Sequence, residues 1–135
     1  MPSYTIKIQP GWHITGVGSK GRAKEIAKIL GNTKLTHKDI PGEVYFYMKG
    51  LKHIVGTHDC LEIELLIRSP DILKKVFSQG RCKEEPVHDD KPYADRCWHV
   101  KRTCKINSRT CRFDFVVLHH TELKRNVLYD IENSY

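Results

Sequence analysis

Leu61-Glu62-Ile63-Glu64-Leu65, continued by Leu66-Ile67, alternates apolar and acidic side chains. A period of two over five residues is the pattern of a half-buried strand. It lies between a turn at Gly56-Thr57-His58-Asp59 and a helix start at Ser69-Pro70-Asp71. The spacing therefore predicts a strand in the middle of the chain, and that assignment decides the topology.

Upstream, Val44-Tyr45-Phe46-Tyr47-Met48 is a short run of β-formers and predicts a well-buried strand, broken at Gly50. Leu51 to Val55 are expected to extend its pairing beyond the bend. Residues 4–9 alternate, with Tyr4, Ile6 and Ile8 on one side, and predict a first strand. Trp12-His13-Ile14-Thr15 reads as a short strand or an extended connection. A helix is predicted from Ser19 to Leu30. Ser19 is its expected N-cap, Ala23, Ile26, Ala27, Ile29 and Leu30 form its apolar stripe, and Gly31-Asn32 is its stop.

Downstream, the helix that starts at Ser69-Pro70 turns Ile72, Leu73, Val76 and Phe77 inward and ends at Gly80. Residues 81–95 are polar, with prolines at 86 and 92, and read as a long mobile surface loop. Trp98 to Ile106 alternates again, placing Trp98, Val100, Arg102, Cys104 and Ile106 on one face. Asn107-Ser108-Arg109 is a turn, and Cys111 to Leu118 is the return strand. The chain from about residue 121 reads as a short helix or a tail. These 135 residues suffice for one domain. The predicted class is α+β, a mainly antiparallel sheet with two helices. The order β–α–β–β–α–β–β contains the split βαβ, ferredoxin-like arrangement followed by a C-terminal hairpin.

The charge narrows the partners. Lys and Arg total 23 against 16 Asp and Glu, a net +7, which favours polyanions such as RNA, DNA or an acidic membrane surface. No export signal or apolar run of membrane-spanning length stands in the sequence. Five cysteines cannot all pair within one chain. The expectation is reduced thiols in a cytoplasmic or nuclear setting.

Two basic regions suit phosphates. Gly16-Val17-Gly18-Ser19-Lys20-Gly21 has GxGxxG spacing at a helix start, where unpaired N–H groups favour an anion. Gly18, Ser19, Lys20, Gly21 and Arg22 are the expected contacts. The antiparallel pattern that follows argues against a dinucleotide fold, and the Walker spacing is absent. The inner Gly18-Ser19-Lys20-Gly21 has the GxxG form with which KH domains clamp a nucleic-acid backbone. Those domains carry a helix before the loop, where this chain has a strand-like run. The second region, from Arg96 to Arg112, holds no acid and six cations: Arg96, Lys101, Arg102, Lys105, Arg109 and Arg112. Trp98 among them is the candidate for stacking a base.

Cysteine and histidine concentrate in the same half. Cys97, His99, Cys104 and Cys111 are the candidate ligands for zinc, although no CxxC knuckle occurs. A turn at Asn107-Ser108 sets Cys104 opposite Cys111. His58-Asp59-Cys60 groups three catalytic residue types, but sequence neighbours do not face one another as a triad does. No nucleophile elbow, zinc-protease helix, deaminase signature or kinase loop appears. The leading expectation is a non-enzymatic nucleic-acid-binding domain. The alternatives are a basic accessory protein of viral matrix type, binding acidic membrane or a protein partner, and a zinc-dependent enzyme built on the Cys/His set.

Overall fold

The computed structural model describes residues 1–14, 18–57 and 60–134. Thr15, Gly16 and Val17, with the first glycine of the GxGxxG spacing, and His58 and Asp59 lie outside the described residues. The elements in chain order are β1 (Ser3–Tyr4), α1 (Ser19–Leu30), β2 (Val44–Tyr45), α2 (Met48–Thr57), α3 (Leu61–Ile67), α4 (Pro70–Ser78), β3 (Arg81–Glu85), β4 (Ala94–Ile106), β5 (Arg109–His120) and β6 (Arg125–Asn133). Among the described residues the result is a small α+β domain with a mixed six-stranded sheet and four helices.

The sheet is built on the long antiparallel run β4–β5–β6. β1 pairs in parallel with the hairpin end of β4, and β3 pairs antiparallel further along the same edge. β2 adds in parallel to β6 at the far edge. One sheet face carries Trp98, Val100, Cys104 and Ile106 from β4 and Cys111, Phe113, Phe115 and Val117 from β5. It packs against buried residues of all four helices, including Ile26, Ile54, Ile63 and Phe77. The other face carries a smaller cluster, Cys97, Val116, Leu118 and Val127, over which Val87 and Tyr93 pack from the 86–93 segment.

The hairpin matches its expectation in detail. Asn107 and Ser108 both have positive φ, +49° and +69°, the two-residue turn whose twist suits antiparallel strands. Cys104 faces Cys111 across it. The Asn107 side chain also accepts from the Ile6 amide at 2.7 Å and donates to the Ile6 carbonyl at 2.9 Å. This side-chain bridge stands where strand pairing was expected along residues 4–9, so β1 is two residues long and Ile8 is exposed.

The decisive expectation is corrected. Leu61–Ile67 is helix α3, not a strand. Glu62 and Glu64 are buried in it, and Glu64 receives hydrogen bonds from Arg22 and from Arg68 four residues on. Helical geometry puts positions i and i+4 on one face, and Leu and Glu are good helix formers. A short element buried on most sides shows no amphipathic period to betray it. With that strand gone, the β–α–β–β–α–β–β order on which the ferredoxin-like arrangement rested is not the order observed.

Three further departures have local causes. Only Val44–Tyr45 of the 44–48 run pairs as strand, and Gly50 sits inside α2 instead of breaking a strand. Residues 81–85, expected as loop, form β3, whose charged composition suits a short edge strand. Residues 125–133, expected as helix or tail, form β6. A bulge leaves Tyr129 without a cross-strand partner, since Val116 opposes Asp130 and Val117 opposes Leu128. That extra residue destroys the period of two.

Candidate nucleic-acid interface

The glycine-led start of α1 is partly absorbed by the fold. Gly18, not Ser19, is the cap residue, in extended conformation. Lys20 and Gly21 are exposed, but Arg22 donates to the buried Glu64. It belongs to a charge network of Arg22, Glu25, Glu64 and Arg68 that ties α1 to α3. Burial raises the Glu25 carboxyl, but hydrogen bonds from Arg68 and His13 outweigh it and pull the group down to about 2. A carboxyl lowered in the folded state stabilises above its unfolded value and loses that contribution as pH falls through the folded one. Stability should therefore decline between about pH 4.5 and 2, by up to about 3 kcal/mol from this group. Glu25→Gln should flatten that part of a urea-denaturation pH profile, and an unchanged acid limb would refute the assignment.

The six hairpin cations divide between the two faces of the sheet. Arg96, Arg102 and Arg109 lie on the helix side or at the tip, and each has a protein partner. Arg96 holds Glu84 through two hydrogen bonds, at 2.9 and 3.0 Å. Arg102 donates to Gln79 at 3.3 Å, and Arg109 pairs with Glu62 at 3.2 Å. Trp98 is 2% exposed and belongs to the core, with the Arg96 guanidinium 4.6 Å from its ring centroid. The expected stacking role for Trp98 is corrected, because its ring has no accessible face to offer a base.

Lys101, Lys105 and Arg112 project from the opposite face. Directly paired residues in an antiparallel ladder share a face, so the register maps that surface row by row. Lys105 stands beside Thr110, and Thr103 beside Arg112. The next row reads Arg81, Lys101, Asp114, Glu132, and the one beyond it Lys83, His99, Val116, Asp130. The last reads Glu85, Cys97, Leu118, Val127. The surface grades from cationic at the hairpin end to apolar beneath the 86–93 segment.

A groove of about 650 Å³ opens beside the cationic rows and reaches round the β4 edge to Gln79, Gly80 and Phe113 on the helix side. Among the described residues, Arg81, Lys101, Arg102 and Arg112 line it with one acid, Asp114. That acid accepts from His99 Nδ1 at 3.0 Å. Among the described residues, Arg102 Nε, buried in the fold, has no hydrogen-bond acceptor. Arg81 was missed in sequence because its segment read as loop, and its place is set by pairing with Lys101. Packing α1 on the helix side sets Gly18 to Arg22 on the face away from Lys101, Lys105 and Arg112. The two basic regions do not form one site.

The four candidate zinc ligands divide in the same way. Cys104 and Cys111 face the core, while Cys97 and His99 face outward. Burial pushes the Cys97 and Cys104 thiols up, and the Cys111 thiol to about 11, which opposes the thiolate a metal needs. Among the described residues no three His, Cys, Asp or Glu are placed to hold a metal ion. Nor is any described helix long and apolar enough to cross a membrane. No family model, curated protein or solved structure matches the chain.

Proposed function

We propose that the protein binds a nucleic-acid strand along the outer face of the β4–β5 hairpin, through phosphates held by Arg81, Lys101 and Arg112. The observation that carries this reading is the groove beside those side chains, whose described lining holds four cations and one acid. A concave cationic trough matches the narrow, regularly charged backbone of a strand. A flat anionic bilayer would meet such a trough only at its rims, so the membrane reading is the weaker one.

Three phosphate contacts predict a slope of log affinity against log salt near −2 for a single strand, or roughly a 20-fold loss between about 50 and 200 mM salt. Lys101→Ala with Arg112→Ala should reduce that slope by about 1.4 and leave the fold intact. Fluorescence anisotropy with labelled RNA and DNA strands reads both quantities. Failure to bind either strand at low salt would overturn the proposal, as would an unchanged slope in the double variant. Lys20→Ala, on the opposite face, should leave the slope as it is.

A further inference from the structure

Beyond the groove the same sheet face dips into a pocket of about 380 Å³. Its floor is apolar, formed by Val116, Leu118 and Cys97, and the 86–93 segment and α2 wall it in. Its polar groups are ordered by the ladder. His99, Val116 and Asp130 stand in one row, and two strand spacings set the outer pair roughly 10 Å apart. Each end of the row is a histidine–aspartate pair. His99 Nδ1 lies 3.0 Å from Asp114, and His53 Nε2, brought in by α2, lies 3.4 Å from Asp130. Glu132 completes the rim.

The charge of this pocket differs from that of the groove. Among the described residues, Asp130 and Glu132 line it against one fixed cation, Lys91, which pairs with Asp90 at 3.4 Å and lies over the Tyr129 ring. A second phosphate would be repelled there. A flat heterocycle with N–H donors fits, because an apolar floor with a few convergent polar groups is the usual make-up of a small-molecule pocket. The pocket also begins where the groove ends. Lys101 and His99 are two residues apart on β4, about 7 Å, or roughly two base rises along a strand.

We propose that this pocket receives one unstacked nucleobase of the strand held in the groove, and that it selects bases carrying an exocyclic amino group. Asp130 and Glu132, two residues apart on the outer face of β6, line the pocket with carboxylates. They make a pair of acceptors for an amino group. The carbonyl edge of uracil or thymine would face those acceptors with its own. The inference rests on the groove reading and adds base preference to it.

The test compares oligo-U with oligo-C and oligo-A of equal length by anisotropy, at fixed salt. Wild type should bind the amino-bearing strands at least about fivefold tighter, the worth of one net hydrogen bond. Val116→Phe fills the floor and should erase the preference while leaving the salt slope unchanged. Glu132→Gln, an exposed change that spares the fold, should reduce the preference in the same direction. Equal binding of all three strands overturns this inference alone, as does a preference that survives in both variants. Binding of none of them overturns the groove reading and this one with it.

Discussion

Replacing Arg68 with methionine should lower the unfolding free energy by about 3–5 kcal/mol, the cost of stranding a buried charge pair. The Arg68 side chain has no solvent exposure. It bonds Glu64 at 3.2 Å, pairs with Glu25, donates to the His13 carbonyl at 3.2 Å and lies 5.3 Å from the Trp12 ring centroid. Methionine keeps most of the volume and none of the donors. Glu64, itself 3% exposed, would then rely on Arg22 alone. The expected readout is a large drop in urea midpoint with an unchanged slope. Arg22→Met should cost less, because Arg68 remains to hold Glu64. Adding Glu64→Gln to Arg68→Met should recover part of the loss, since neutralising both partners removes the stranded charge. A loss under about 1 kcal/mol in Arg68→Met would show that water, not the network, solvates these acids.

The same network explains why the central element escaped a reading by period. Strands announce themselves when one face is wet, as β4 and β5 do, and there the alternation, the turn and the Cys104–Cys111 register were all legible. Helices α1 and α4 were legible for the matching reason, an apolar stripe beside charged residues and a glycine after each. In α3 the acids are not the wet face. Glu62 and Glu64 are buried and answered by Arg109, Arg22 and Arg68, residues 42 or more positions away except for Arg68. No local window contains Arg22 or Arg109. β3 and β6 failed for different reasons, an edge strand with no apolar side and a bulge that breaks the count.

The candidate site shows the same division. The charge run from Arg96 to Arg112 was visible, and alternation alone separates Lys101 and Lys105 from Arg102 and Cys104. Invisible was the fate of each arginine, because a cation's availability depends on which acid the fold delivers to it. Glu84 reaches Arg96 only because β3 pairs with β4, and Glu64 reaches Arg22 only because α3 is helical. The pocket was out of reach for a further reason. Its histidines come from α2, the 86–93 segment and β4, and its acids from β6.

Gly50→Ala should destabilise the protein by about 2–4 kcal/mol, against the direction helix propensity gives. Alanine is favoured over glycine inside a helix by about 1 kcal/mol, so an unpacked α2 would gain from the change. Here a Cβ at position 50 would stand 2.3 Å from the Leu128 carbonyl oxygen and 2.6 Å from the Tyr47 ring. The first contact is backbone of β6 and cannot swing aside. α2 must move off the sheet edge or β6 must bend, and either breaks packing at Leu51 and Ile54. The consequence reaches the pocket, because α2 carries His53 to Asp130 and stacks it on Tyr129 with ring centroids 4.6 Å apart. Gly50→Ala should thus lower the urea midpoint and, in the folded fraction, weaken base preference more than the salt slope, which the distant groove sets. Lys52→Ala, on the exposed side of the same helix, should shift stability by under about 0.5 kcal/mol. A stabilised Gly50→Ala variant would mean that α2 does not sit against β6 at Leu128, and the wall that encloses the pocket would go with it.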